Sequence, residues 1–292
     1  MSFVSGSSLR AVLRPARLAS VLALFVICLT ACTDEATQPT SAEEPSGKRS
    51  GSTTKGATAG LPDLPQGDDP VNLDPAEFTT KIDNPYWPMK PGTRWVYREI
   101  DEEGKKLKIV VVVTTETKKI ANGITARVVR DTVTEDGALI EDTNDWYAQD
   151  SDGNIWYMGE DTAEFENGKI TTKSGSFEAG VDGALPGIIM PADPQPGMKY
   201  RQEYYKGEAE DNGEVLSTEE MADAPLGHFD DVLLTKDTIT LEPNVLEYKL
   251  YAKGVGPVLV FGVSGGGGRE ELLDVGKAPP SAGTGPLGSP NP

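Results

Sequence analysis

Cysteine and histidine are almost missing from this chain, which has 2 of the first and 1 of the second. Both cysteines, Cys28 and Cys32, fall near the N-terminus, so the remaining chain offers no thiol for a disulfide, a zinc site or a nucleophilic dyad. His228 sits in the turn-like stretch Pro225 to Asp230, where an imidazole lacks the support that a Ser-His-Asp system needs. Basic residues are scarce too: 27 stand against 46 acidic ones for a net charge of −19, with no local basic cluster. Such a surface repels nucleic acid and anionic headgroups. Carboxylates are plentiful, but 46 of them give no means of choosing an acid and base pair for a hydrolase. A sustained 3.6-residue apolar period is absent from the body of the chain, which argues against a helical domain.

What the N-terminus does have is an ordered address. Arg10, Arg14 and Arg17 precede an apolar stretch from Leu18 to Leu29, too short to span a bilayer comfortably but the length of a signal-peptide core. It runs into Leu29-Thr30-Ala31-Cys32, which resembles the lipobox of bacterial lipoprotein signal peptides. That resemblance implies cleavage before Cys32, a diacylglycerol on its thiol, further acylation such as palmitate, and a cell-membrane anchor facing outside the cytoplasm. Two acyl chains hold durably where one binds marginally. An ordinary signal peptide or a single membrane-spanning helix are the competing readings. Loss of the three arginines would leave 24 basic against 46 acidic residues, a net charge of −22.

Residues 32–69 are Ser, Thr, Gly, Pro, Ala and charge, and read as a flexible lipidated tether. Residues 277–292 read as a disordered tail. Between them, residues 70–276 form one domain, expected as a monomer. Strands are expected at 93–100, 106–117, 124–134, 139–148, 155–159, 200–206, 232–241, 245–252 and 258–263, with one short helical turn at 75–80. From 106 to 113, Leu107, Ile109, Val111 and Val113 share a face while Val110 and Val112 make the other face apolar, so this strand is read as buried on both sides. Asn122-Gly123, Asp136-Gly137, Asp152-Gly153, Asn167-Gly168 and Asn212-Gly213 are hairpin dipeptides. The fold class is therefore all-β, an antiparallel meander curled into a barrel, half-barrel or sandwich. The Gly/Pro-rich insertion 177–196 is expected as a long loop covering one end of the sheet.

The most distinctive stretch is Asp145-Trp-Tyr-Ala-Gln-Asp-Ser-Asp-Gly-Asn-Ile-Trp-Tyr-Met-Gly-Glu160. Together with Asn-Pro-Tyr-Trp-Pro-Met-Lys-Pro-Gly at 84–92 and the run Leu241 to Gly256, it is similar to an uncharacterised family of secreted bacterial proteins. The resemblance spans Phe78 to Leu273, departs at Lys253 where the family would have proline, and implies no activity. Within the stretch, Asp150, Asp152 and Asn154 alternate around Gly153 as the start of a calcium loop would. They equally suit a hairpin turn in which Asp and Asn cap their own backbone; the turn is the reading taken, with calcium as the alternative cofactor. Trp146, Tyr147, Trp156 and Tyr157 flank the turn and form the candidate ligand-binding surface, or else core and edge cover.

These features point to a membrane-anchored extracytoplasmic lipoprotein with a non-enzymatic binding or envelope-support role toward an unknown ligand or protein. A carrier of a hydrophobic molecule inside a curled sheet is the second reading, and a carboxylate-based hydrolase the third.

Overall fold

A computed structural model of the chain describes residues 61–291 apart from Glu102, Gly266 and Gly267. Cys32, the signal peptide and most of the tether lie outside the described residues. A single 3-10 turn at Pro75–Glu77, capped by Asp74, opens the domain. Fifteen strands follow: β1 (Phe78–Thr79), β2 (Thr93–Ile100), β3 (Lys106–Lys119), β4 (Thr125–Glu135), β5 (Ala138–Asp150), β6 (Ile155–Glu166), β7 (Lys169–Thr172), β8 (Phe177–Glu178), β9 (Leu185–Met190), β10 (Lys199–Tyr205), β11 (Ala209–Ala224), β12 (Gly227–Ile239), β13 (Leu246–Ala252), β14 (Gly256–Ser264) and β15 (Arg269–Lys277).

Twelve of these strands close a barrel. β2 to β6 pair in chain order, β6 pairs β9, β9 to β15 again pair in order, and β15 returns to β2, antiparallel throughout. β1 adds to β5, while β7 and β8 add to β6. The meander read from the sequence is thus a closed barrel, a solution that removes open sheet edges. Asp136 (φ 50°) with Gly137 (φ 82°) and Asn167 (φ 52°) with Gly168 (φ 73°) put both hairpin residues at positive φ, the turn whose twist matches the strands it joins.

Asn212-Gly213 departs from this pattern, because both residues lie inside β11. Gly213 is needed for space: an added Cβ would stand 2.4 Å from the Tyr200 ring. The insertion 177–196 is likewise more than a loop, since its apolar middle is β9, a wall strand between β6 and β10. At Gly187 a Cβ would stand 2.2 Å from the Gln202 carbonyl oxygen, so this close seam admits only glycine.

The C-terminal flank corrects its expected disorder, and the end of the tether, residues 65–69, docks as well. Residues 278–291 lie along the outside of the barrel, where Ala278 and Ala282 pack on Val110 and Val112. The two-sided burial of β3 is real, and its outer cover is this segment. Beneath it Arg130 and Asp142, both fully buried, form an ion pair. Arg130 donates to the carbonyls of Thr284, Gly285, Pro286 and Ser289, and the Gly288 N–H donates to Asp142. At the other flank, Arg201 Nη1 donates to the carbonyls of Gly67 at 2.7 Å and Asp69 at 2.6 Å, while its N–H donates to Pro65 O. Both segments dock through backbone carbonyls on buried arginines, which composition does not display.

Candidate functional site

Parts of the three stretches singled out in the sequence meet at one end of the barrel. Asn84 donates from Nδ2 to Gly153 O and Pro191 O, both at 3.0 Å, and the N–H groups of Asp83 and Asn84 donate to Gln149 Oε1. Gly254 N–H donates to Pro85 O at 2.7 Å. Held between these anchors, Trp87 crosses the barrel end with its ring centroid 5.8 Å from both Tyr147 and Tyr251. Gly256 is required here, because a Cβ would meet Trp87 Cδ1 at 2.9 Å.

Below Trp87 lies a cavity of about 70 Å³ lined by Trp87, Trp95, Tyr97, Tyr147, Tyr157 and Tyr251 together with Asp131, Asp145, Glu270 and Lys249. The strand register makes this interior acidic. Asp145 lies opposite Glu160, Glu141 opposite Glu164, Glu203 opposite Asp211, Asp237 opposite Glu247, and Glu99 opposite Glu270. Like charges directly opposite on an antiparallel ladder repel. Lys249 offsets part of this, with Nζ 3.0 Å from Asp237 and 3.8 Å from Glu247. Burial alone would lower the Lys249 pKa, but Asp237 and Glu247 outweigh it and hold the ammonium well above its usual range.

The remaining strain is relieved by protons. Burial, reinforced by neighbouring carboxylates, pushes Asp131, Glu160, Glu203 and Glu270 well above the usual carboxylate range and Glu141 to about 8, while burial, opposed by the Tyr157 hydrogen bond, raises Asp145 to about 7. Tyr157 Oη stands 2.7 Å from Asp145 and 2.8 Å from Glu160. A phenol has one proton to donate, so the second contact requires a protonated carboxyl donating to the phenol oxygen. Burial and the neighbouring Asp211 raise Glu203, while Glu203 opposes the effect of burial on Asp211. Asp131 Oδ1, Glu270 Oε2 and the Tyr200 hydroxyl, all deeply buried, have no hydrogen-bond partner among the described residues.

The four aromatics singled out from sequence separate. Tyr147 and Tyr157 face the cavity, stacked with centroids 4.9 Å apart. Trp146 lies in an outer hollow of about 370 Å³ beside Glu160, Asp161, Phe177 and Glu178, where the Lys118 ammonium already covers its ring at 4.2 Å. Trp156 packs edge-on against Phe78 and donates from Nε1 to Asp150 Oδ2 at 2.8 Å.

Asp150 organises the hairpin turn. Its Oδ1 accepts from the N–H groups of Gly153 and Asn154, and its Oδ2 accepts from Asn154 Nδ2 as well as Trp156. Asn154 Oδ1 accepts from Ala192 N–H, Gly153 has φ 100°, and Asp152 is exposed. Gly262-Val-Ser264-Gly-Gly has the spacing of a nucleophile elbow, but Ser264 donates its hydroxyl to Asn244 O at 2.7 Å. His228, exposed near the start of β12, pairs with Asp223 and Asp230 at the opposite barrel end from Ser264.

Sequence reasoning missed Asp131, Glu160, Glu203, Asp211, Lys249 and Glu270. For Asp131 the signal was its strand parity with Val129 and Val133.

Fold and site together define a closed antiparallel β-barrel with an aromatic-capped acidic interior. No family model and no curated protein matches the chain. A solved structure, that of a “putative lipoprotein” from Parabacteroides distasonis ATCC 8503, is similar at 13% identity over 65% of this chain and 98% of that one, with a TM-score of 0.35.

Proposed function

We propose that this protein is a membrane-anchored extracytoplasmic lipoprotein that binds a small ligand within its barrel, without chemistry on it. The observation that carries this reading is the capped cavity, into which Asp131 and Glu270 each present a buried carboxyl oxygen without a hydrogen-bond partner among the described residues. A hydrophobic cargo fits poorly, since Asp131, Asp145 and Glu270 would then lie desolvated against hydrocarbon. A hydrolase meets a different obstacle. Asp145 and Glu160 are a facing pair of carboxyls, but the Tyr157 hydroxyl occupies the space between them where a glycosidic oxygen would have to sit.

Native mass spectrometry of the lipoprotein purified from its own cells tests the binding reading. A stoichiometric small-molecule adduct released on unfolding is the expected result, and a bare mass under gentle ionisation opposes it. For the anchor, Cys32→Ala is expected to abolish metabolic labelling by an alkyne fatty acid; equal label on the variant removes the lipoprotein reading.

A further inference from the structure

Resting on that binding reading, the geometry points to a small organic cation, a methylated or primary ammonium head, as the ligand of the cavity formed by Trp87, Tyr147 and Tyr251 with Asp131 and Glu270. Three observations converge on this class. Aromatic faces attract cations, most strongly where water is excluded, and three rings bound this space. Asp131 and Glu270 are only 3% and 5% exposed and present oxygens that have no hydrogen-bond partner among the described residues. The cation already present, Lys249, is engaged by Asp237 and Glu247 and offsets Glu270 only in part.

The size and the donor set favour an ammonium over a metal ion. A cavity of about 70 Å³ suits a compact headgroup. Among the described residues no three His, Cys, Asp or Glu side chains are grouped to hold a metal ion, and π faces suit a soft, weakly hydrated charge.

Burial holds the Asp131 and Glu270 carboxyls above their usual range, so an arriving cation displaces protons from them. The groups facing this pair are Tyr97 and Glu99 from β2, Glu141 and Asp145 from β5, and Glu247, Lys249 and Tyr251 from β13. Because acids predominate among them, the occupied site stays balanced only if at least one carboxyl ionises as the cation enters.

The experiment uses the full lipoprotein in detergent, with tetramethylammonium chloride titrated against equal sodium chloride. Tetramethylammonium is expected to raise the melting temperature by roughly 2–4 °C, change tryptophan fluorescence saturably, and bind more tightly at pH 8 than at pH 6. The Asp131→Asn/Glu270→Gln double variant is expected to melt at the same or a higher temperature and to lose the tetramethylammonium response. If the wild-type melt follows the sodium chloride control, or the double variant responds equally, the cation inference is overturned. A neutral or anionic adduct in native mass spectra with no tetramethylammonium response overturns the cation alone and leaves the binding reading standing. A bare mass together with no response overturns both.

Discussion

Asp150 shows how much one side chain settles. Four donors converge on its carboxylate, so Asp150→Ala strands the Asn154 N–H, its side-chain amide and the Trp156 indole in a half-buried turn, while the Gly153 N–H keeps the Asp150 carbonyl. The loss is expected at ~1–3 kcal/mol by chemical denaturation, while Asp152→Ala, on an exposed residue, stays within ~0.5 kcal/mol. Gly153→Val, at φ 100°, is expected to cost ~1–2 kcal/mol of backbone strain. Millimolar calcium is expected to leave the wild-type melt unmoved. A calcium-dependent rise that both Asp150→Ala and Asp152→Ala remove would restore the metal loop. The alternation of Asp and Asn around a glycine was visible in the sequence; what favours the turn is the Trp156 indole reaching back to Asp150, a contact six residues away.

At the scale of elements, legibility followed side-chain polarity and failed where polarity is inverted. Strands such as β2, β3 and β14 announce themselves because apolar residues alternate or cluster. β11, the longest at 16 residues, does not, because its inward positions are Ala209, Asp211, Gly213 and Val215, and Asn212-Gly213 mimics a turn. The acidic interior reverses the code by which strands are read, and β15, which carries Glu270, was hidden with β11, whereas β2, β4, β5, β6 and β13, which carry most of the site's lining, were legible. The C-terminal segment was hidden differently, by docking through its carbonyls. Truncation after Lys277 is therefore expected to destabilise the barrel by ~2 kcal/mol or more, since Arg130 loses its carbonyl acceptors and Val110 and Val112 lose their cover. Gly283→Ala should reproduce part of the loss: its Cβ would meet Thr114 Cγ2 at 2.7 Å, at φ 71°. A truncated chain with an unchanged denaturation midpoint would show the docked segment to be dispensable.

For the whole molecule, the acidic interior makes stability a function of pH with a definite sign. A carboxyl whose pKa is raised by folding keeps its proton in the barrel at pH values where the unfolded chain has lost it. The folded state then binds more protons, and stability falls as pH rises through the window between the two pKa values. The unfolded values lie near 4, and the folded ones reach about 7 for Asp145 and about 8 for Glu141, with Asp131, Glu160, Glu203 and Glu270 also raised. Each such group contributes a slope of up to ~1.4 kcal/mol per pH unit inside its window. Groups shifted the other way act elsewhere: Asp83 and Glu271, lowered by hydrogen bonds from Lys81 and Arg98, lose their contribution in acid below pH 4. His228, raised by its hydrogen bond to Asp223, adds a contribution of the same sign as the interior acids, lost as pH rises through its folded pKa. Melting temperature at constant ionic strength is thus expected to be highest near pH 4–5 and to fall steadily to pH 8–9. Glu141→Gln, which cannot ionise, is expected to flatten the profile between pH 6 and 8. A profile that is level or climbs across pH 5–8 would mean that the interior carboxyls are already ionised and neutralised in the folded protein, and a cation carried through purification would be the first species to seek.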